Sequence, residues 1–155
     1  AKDIKFKEYV EMEIAQIQAE CAAILYNLSR LSEESCQRML DEGALLPVTR
    51  LSREGKSVDI LSRVSAVLSE FSFPECSWDP AETGEFIRAL HVLSTVDHLE
   101  THQRCIFALV NLSSDETNRK MLLEEGTVAV LKSLSNKQNE YIRRGFAAAL
   151  QNLSS

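Results

Sequence analysis

The sequence predicts an all-α solenoid, a single domain over residues 1–155 built from about three and a half stacked three-helix units. Three observations predict it: a repeat of 41 to 43 positions, helical spacing of apolar residues inside each repeat, and few turn-formers, with 5 Gly and 3 Pro in 155 residues. A many-stranded β protein needs a turn every ten or so residues, which this composition does not supply. The 45% apolar content is enough for a core and argues against wholesale disorder.

The repeat is visible in four aligned segments: ECAAILYNLS (20–29), RVSAVLSEFS (63–72), RCIFALVNLS (104–113) and GFAAALQNLS (145–154). Their first residues are 43, 41 and 41 positions apart. A second landmark keeps the same period, because Gly43, Gly84 and Gly126 are 41 and 42 apart. The units read as residues 16–57, 58–99, 100–139 and a partial unit 140–155. Residues 1–15 have no counterpart at this period. They either continue a helix from Asp3 to about Ser29 or form a loop, with Ile4, Phe6, Tyr9 and Val10 capping the open end of the stack.

Each unit reads as three helices. The first is short, as in SEESCQRMLDE from Ser32 and SDETNRKMLLEE from Ser114, with Ser32 and Ser114 as N-caps. The acidic residues behind those caps suit the positive end of the helix dipole. Gly43 and Gly126 stand where the chain turns sharply into the second helix, a place for positive φ. The second helix runs to Leu51 or Leu134. The third is the aligned segment, with apolar columns at Leu25, Leu68, Leu109, Leu150 and at Leu28, Phe71, Leu112, Leu153. A further column holds Cys21, Val64, Cys105 and Phe146. One such unit leaves apolar faces bare, and stacking covers them.

The second unit is irregular. Its first helix is replaced by FPECSWDPAE (73–82), where Pro74 and Pro80 forbid a continuous helix. Asp79-Pro80-Ala81-Glu82 has the order of a helix start: cap, proline, acid. Trp78 either fills the volume of the missing helix or anchors a partner.

The turn glycines, the Ala-rich third helix and its terminal Asn-Leu-Ser together make roughly residues 16–155 resemble armadillo repeats. The resemblance is carried by Gly43, Gly126, Asn27, Asn111 and Asn152, and it is weakest where Glu70 replaces Asn. It implies a right-handed superhelix whose third helices line a concave groove, where the Asn side chains hydrogen-bond the backbone of an extended partner segment. Positions spaced four, three and four apart share one helix face. The implied concave face is then Gln16, Glu20, Ala23, Asn27; Asp59, Arg63, Ala66, Glu70; Glu100, Arg104, Phe107, Asn111; and Tyr141, Gly145, Ala148, Asn152. Importin-like members of that family pair a Trp four residues before each Asn. Here those places hold Ala23, Ala66, Phe107 and Ala148, so only Phe107 offers an aromatic wall. The charges are mixed, with Asp59 and Arg63, Glu100 and Arg104 at i,i+4 and Glu20 opposite Arg63. A nuclear-import adaptor needs an acidic groove with aromatic slots, which is not this pattern.

Three Asn contacts at roughly 1 kcal/mol each give about 3 kcal/mol, against about 8 kcal/mol for a micromolar complex. This length of solenoid is therefore expected to hold an extended peptide weakly. The other reading of the Asn column is a bond to its own or a neighbouring helix end.

Other chemistries are missing from the sequence. Net charge is −6, which disfavours nucleic acid. There is no apolar run of 18 residues, so no membrane insertion is expected. His98 and His102 are i,i+4, but Leu99-Glu100-Thr101 between them breaks the zinc-protease order and no third ligand follows. No phosphate loop, dinucleotide fingerprint or nucleophile elbow occurs. No catalytic residue, metal, cofactor or small-molecule substrate is expected. Cys21, Cys36, Cys76 and Cys105 are scattered and read as reduced thiols of an intracellular, cytoplasmic protein, with nuclear or cytoskeletal association as alternatives. Cys76, in the loop, is expected to react fastest, and Cys21 and Cys105, in the apolar column, slowly. Three Asn-x-Ser sequons end apolar helical runs and are read as structural. Ala1 in place of Met suggests a processed or excised piece.

The expected function is a non-enzymatic scaffold for a protein or peptide partner. The contact set is Asn27, Asn111, Asn152, Phe107, Arg63, Arg104, Glu20, Glu70 and Trp78. The alternative is a structural component of a cytoskeletal or ciliary assembly, docking through helix faces and the 73–82 loop.

Overall fold

A computed structural model describes residues 2–155, with side chains from residue 4 onward. Helix follows helix: α1 (Lys2–Ser29), α2 (Glu33–Asp41), α3 (Leu45–Glu54), α4 (Val58–Phe71), α5 (Thr83–Leu93), α6 (Leu99–Ser114), α7 (Glu116–Glu124), α8 (Thr127–Ser135) and α9 (Glu140–Leu153). No strand occurs among the described residues. The last half of α1 and the helices α4, α6 and α9 are the third helices of successive units, and each packs on the next. The second helices α3, α5 and α8 pack outside them, each on the third helix that follows it in the chain. The core lies between these layers, with Val64, Leu68, Phe71, Phe86, Leu90, Ile106, Leu109 and Leu112 closed from solvent.

Local chemistry sets the helix ends. Ser32 accepts the Ser35 amide at 3.0 Å and starts α2. Gly43 and Gly126 take φ of +85° and +81°, the left-handed turn into α3 and α8. The aligned Gly84 differs: it sits helical and buried in the first turn of α5, beneath the Arg88 guanidinium. Asp79 caps the short 3-10 turn Pro80–Glu82 that leads into α5. Ser114 is a correction. It stays inside α6 and donates to the Asn111 carbonyl, while Asp115 next to it caps α7 by accepting the Thr117 amide at 2.9 Å. A carboxylate satisfies those amides and also complements the dipole.

The segment missing a helix is pinned in two ways. The Gln37 side chain on α2 donates to the Ser77 carbonyl at 3.0 Å and accepts the Ser77 amide at 2.8 Å. Trp78 lies 5.0 Å from Phe86, centroid to centroid, and donates its indole N–H to Thr83 Oγ1. Trp78 thus occupies core volume. On the outer surface, Arg53, Glu85, Arg88 and Glu125 form a chain of ion pairs linking α3, α5 and the end of α7. His98 caps α6 through Nδ1, and His102 is buried one turn later.

The third helices approach closely. A Cβ on Gly145 of α9 would lie 2.6 Å from Ile106 Cγ1 of α6, so only glycine permits this spacing.

Of the two readings of the first residues the long helix holds: residues 2–15 continue α1, and Ile4, Phe6, Tyr9 and Val10 stay exposed instead of capping the stack. The expectations for two thiols are overturned. Cys21 is exposed, because nothing covers the outer face of α1, whereas Cys76 is 8% exposed because the pinned loop folds it inward. Burial pushes the thiols of Cys36 and Cys105 up to about 11 and about 12, and that of Cys76 upward too. A thiol reagent at pH 8 is therefore predicted to modify Cys21 first, with Cys36, Cys76 and Cys105 at least tenfold slower until the chain unfolds. Mass spectrometry of a labelling time course reads this directly.

Candidate partner-binding face

The row of third helices repeats one side-chain geometry at each step. Asn111 donates from Nδ2 to Ser72 Oγ on α4 at 3.1 Å, and Asn152 does the same to Ser113 Oγ on α6 at 3.0 Å. Each serine passes its own proton to a carbonyl one turn back, Ser72 to Ser69 and Ser113 to Val110. The Asn column is therefore bonded to the neighbouring third helix. Each of these amides keeps its Oδ1 and a second N–H. In the first two places of the register, Asn27 is exposed on α1 and Glu70 holds the Asn place on α4.

This ladder uses the Asn and the Ser of the sequon at 111–113 and the Asn of the sequon at 152–154. The serine two places after each third-helix Asn or Glu70 is buried in Ser29, Ser72 and Ser113. Its recurrence two residues after the Asn column was the signal for a helix-to-helix bond, legible once the helices are known to stack.

Glu70 borders the main depression of the face. A cleft of about 340 Å³ is lined by Ser69, Glu70, Phe73, Glu100, Gln103, Arg104, Phe107 and Tyr141. Phe73 and Phe107 meet edge to face with centroids 5.5 Å apart. Arg104 is held by Glu100 at 2.7 Å and by the carbonyl and hydroxyl of Ser62 at 2.9 and 3.1 Å. Its guanidinium stands 6.0 Å from the Tyr26 ring, and Arg30 stands 5.0 Å from the same ring while donating to the Tyr26 hydroxyl. Burial raises the Glu70 carboxyl above its ordinary range, and the guanidinium charges of Arg30 and Arg104 pull it part of the way back. Its carboxylate has no hydrogen-bond or ion-pair partner among the described residues.

Two expected ion pairs do not form. Arg63 is exposed and lies beyond pairing distance of both Asp59 and Glu20, and Glu20 instead accepts from Gln16 at 3.1 Å. Helical spacing permits a solvated pair without fixing it, since such a pair gains little: Glu140 and Arg144 meet at 2.7 Å at the spacing where Asp59 and Arg63 do not. Glu100 and Arg104 do pair, because Arg104 is anchored on Ser62. The sequence reading missed Tyr26, Arg30 and Phe73, which lie outside the aligned face positions and enter it through side-chain reach.

The comparisons bear on this geometry. A designed armadillo repeat protein in complex with peptide (KR)4 superposes with a TM-score of 0.70 at 19% identity, covering 90% of this chain and 59% of its own. The fold is an armadillo-type α-solenoid. Computationally designed armadillo repeat proteins for modular peptide recognition give a TM-score of 0.73 at 19% identity, covering 88% of this chain and 58% of theirs. A further designed armadillo repeat protein gives 0.69 at 21% identity, covering 88% and 58%. The chain thus spans under three fifths of the length of these structures. No family model and no curated protein sequence matches it. Among the described residues, no helix is long and apolar enough to cross a membrane.

Glu70 carries a pH prediction. A raised folded carboxyl means the native chain binds the proton more readily than the unfolded chain, so stability falls as pH rises from the ordinary carboxylate range through the raised value. Glu70→Gln is predicted to raise the melting temperature at pH 7 and leave it unchanged near pH 3. Paired thermal melts at the two pH values check this, and an unshifted melt at pH 7 counts against a desolvated carboxylate.

Proposed function

We propose that this face of third helices binds an extended segment of a partner protein, with no catalytic step. The observation that carries the reading is Glu70, a half-buried carboxylate with no side-chain partner among the described residues, in the cleft that Phe73 and Phe107 line. Half-burial strips part of its water, and no cation among those residues pairs with it in return. A lysine or arginine side chain from a partner restores the lost interactions, with the carboxylate below and the rings alongside. Asn111 and Asn152 then offer their free amide groups to the partner backbone, and Asn27 extends that row. Arg104 and Glu100 set the polarity of the next position along the segment, and Arg63 and Glu20, unpaired with each other, meet its outer charges. Trp78, packed on Phe86, supports the irregular segment and stands outside this contact.

The neighbour solved with (KR)4 supplies a usable ligand. Asn contacts worth about 3 kcal/mol and one charge-assisted bond of about 2 kcal/mol imply a dissociation constant on the order of 100 μM. Fluorescein-labelled (KR)4 is predicted to bind at that level by anisotropy in low salt. Glu70→Gln and Phe107→Ala should each weaken it about tenfold, and Trp78→Ala should leave it within twofold. Equal binding by wild type, Glu70→Gln and Phe107→Ala contradicts the assignment of this face.

A further inference from the structure

A second surface lies at the other side of α1. Val10, Ile14, Ile17, Cys21, Ile24 and Leu28 recur at spacings of four, three, four, three and four, which puts them in one narrow stripe along the helix. The five large residues of the stripe are between 37% and 59% exposed, and Cys21 is exposed as well. The stripe is about 27 Å long, at 1.5 Å per residue.

The chain itself shows what kind of object fits there. One repeat on, the same register in α4 holds Ile60, Val64, Val67 and Phe71, each at most 2% exposed. The matching positions of α6 are equally buried, and those of α9 are buried or half-buried. In each case the preceding second helix, α3, α5 or α8, packs on that third helix. The face is built to receive an amphipathic helix. Among the described residues, none lies on the matching face of α1.

The residues just before it do not supply that helix. Elsewhere the second helix ends and the chain turns immediately before the third, and Ser57 caps the start of α4. The position equivalent to Ser57 on α1 is Ile14, in mid-helix, and α1 runs on unbroken to Lys2. The backbone is carried straight past the stripe instead of folding back over it.

Charge narrows the occupant. One flank of the stripe carries Glu13 and Glu20, seven residues apart and both exposed. The other flank is the edge of α3, where apolar clefts of about 400 and 490 Å³ separate it from α1 and the charges are mixed. A second α1 laid antiparallel on the stripe opposes these carboxylates to their own copies, and laid parallel it gives them no cation. A helix with basic residues at heptad spacing on one flank does meet them.

We propose that the α1–α3 groove is a docking site for an amphipathic helix of a partner protein, apolar along its seam and basic along one flank. The site adjoins the face of third helices along Glu20, and takes a helix where that face takes an extended segment.

Cys21 lies in the middle of the stripe and reports on its occupancy. The probe is a 21-residue peptide of three heptads, with leucine at both seam positions and lysine on one flank. Its control carries glutamate in place of the lysines. The lysine peptide at 100 μM is expected to slow maleimide labelling of Cys21 at least tenfold, and the glutamate peptide is expected to leave the rate within twofold. In Ile17→Ser/Ile24→Ser, whose altered side chains are exposed and whose fold is checked by circular dichroism, the lysine peptide should bind at least tenfold more weakly by anisotropy. Equal protection by both peptides, or by neither, overturns the proposal. So does slow labelling of the peptide-free chain that accompanies a dimer in sedimentation and is relieved by Ile17→Ser, since the occupant is then a second copy.

Discussion

Every third helix of this chain is buried only where another helix lies against it. Leu68 on α4 and Leu109 on α6 are sealed, whereas Leu25 and Leu150 in the same column on α1 and α9 are only partly covered. The sequence of each unit is similar, so the difference comes from the number of neighbours. This dependence is the defining constraint of a stack in which contacts are made only to the adjacent unit. It explains why the spacing of the units is held so tightly. Gly145 must remain without a side chain for α9 to sit on Ile106, and Gly43 and Gly126 must take a left-handed turn for the second helix to double back.

A fixed spacing also makes the face of third helices. Because α4, α6 and α9 are displaced by one constant step, a bond that suits one junction suits the next, and Asn111–Ser72 and Asn152–Ser113 are the same bond made twice. Where the repeat is broken, the face changes character. Glu70 replaces the Asn, the first helix of that unit is absent, and Phe73 from the irregular segment reaches Phe107. The aromatic and acidic cleft is thus a product of the irregularity, set into a row that is otherwise regular. Strict repetition supplies the scaffold, and the departure from it supplies the chemistry.

The fold was legible because it rests on periodic features. The period, the two glycine turns, the Ser32 cap and the Asp79-Pro80 helix start all depend on residues near in sequence, and the structure has each of them in place. What failed depended on surroundings. Cys76 looked exposed because its segment lacks a helix, but Gln37 and Phe86 draw that segment inward. Cys21 looked buried because its column is buried elsewhere, but among the described residues no second helix lies against that side of α1. Spacing put Asn27, Asn111, Asn152, Glu70 and Phe107 in one register, and the armadillo resemblance made that register the candidate face. Tyr26, Arg30 and Phe73 could not, since long side chains reach the face from positions off it. The Glu20–Arg63 pair across two helices and the Asp59–Arg63 pair along one both failed, since a solvated pair gains too little for the sequence to fix it.

The register of the third helices is open to direct observation. In nuclear Overhauser spectra, the side-chain amide of Asn111 should show strong cross-peaks to the Ser72 β protons, and that of Asn152 to those of Ser113, each pair 39 residues apart. If both amides instead show contacts only within their own helices, the row does not exist as described, and the face built on it goes with it.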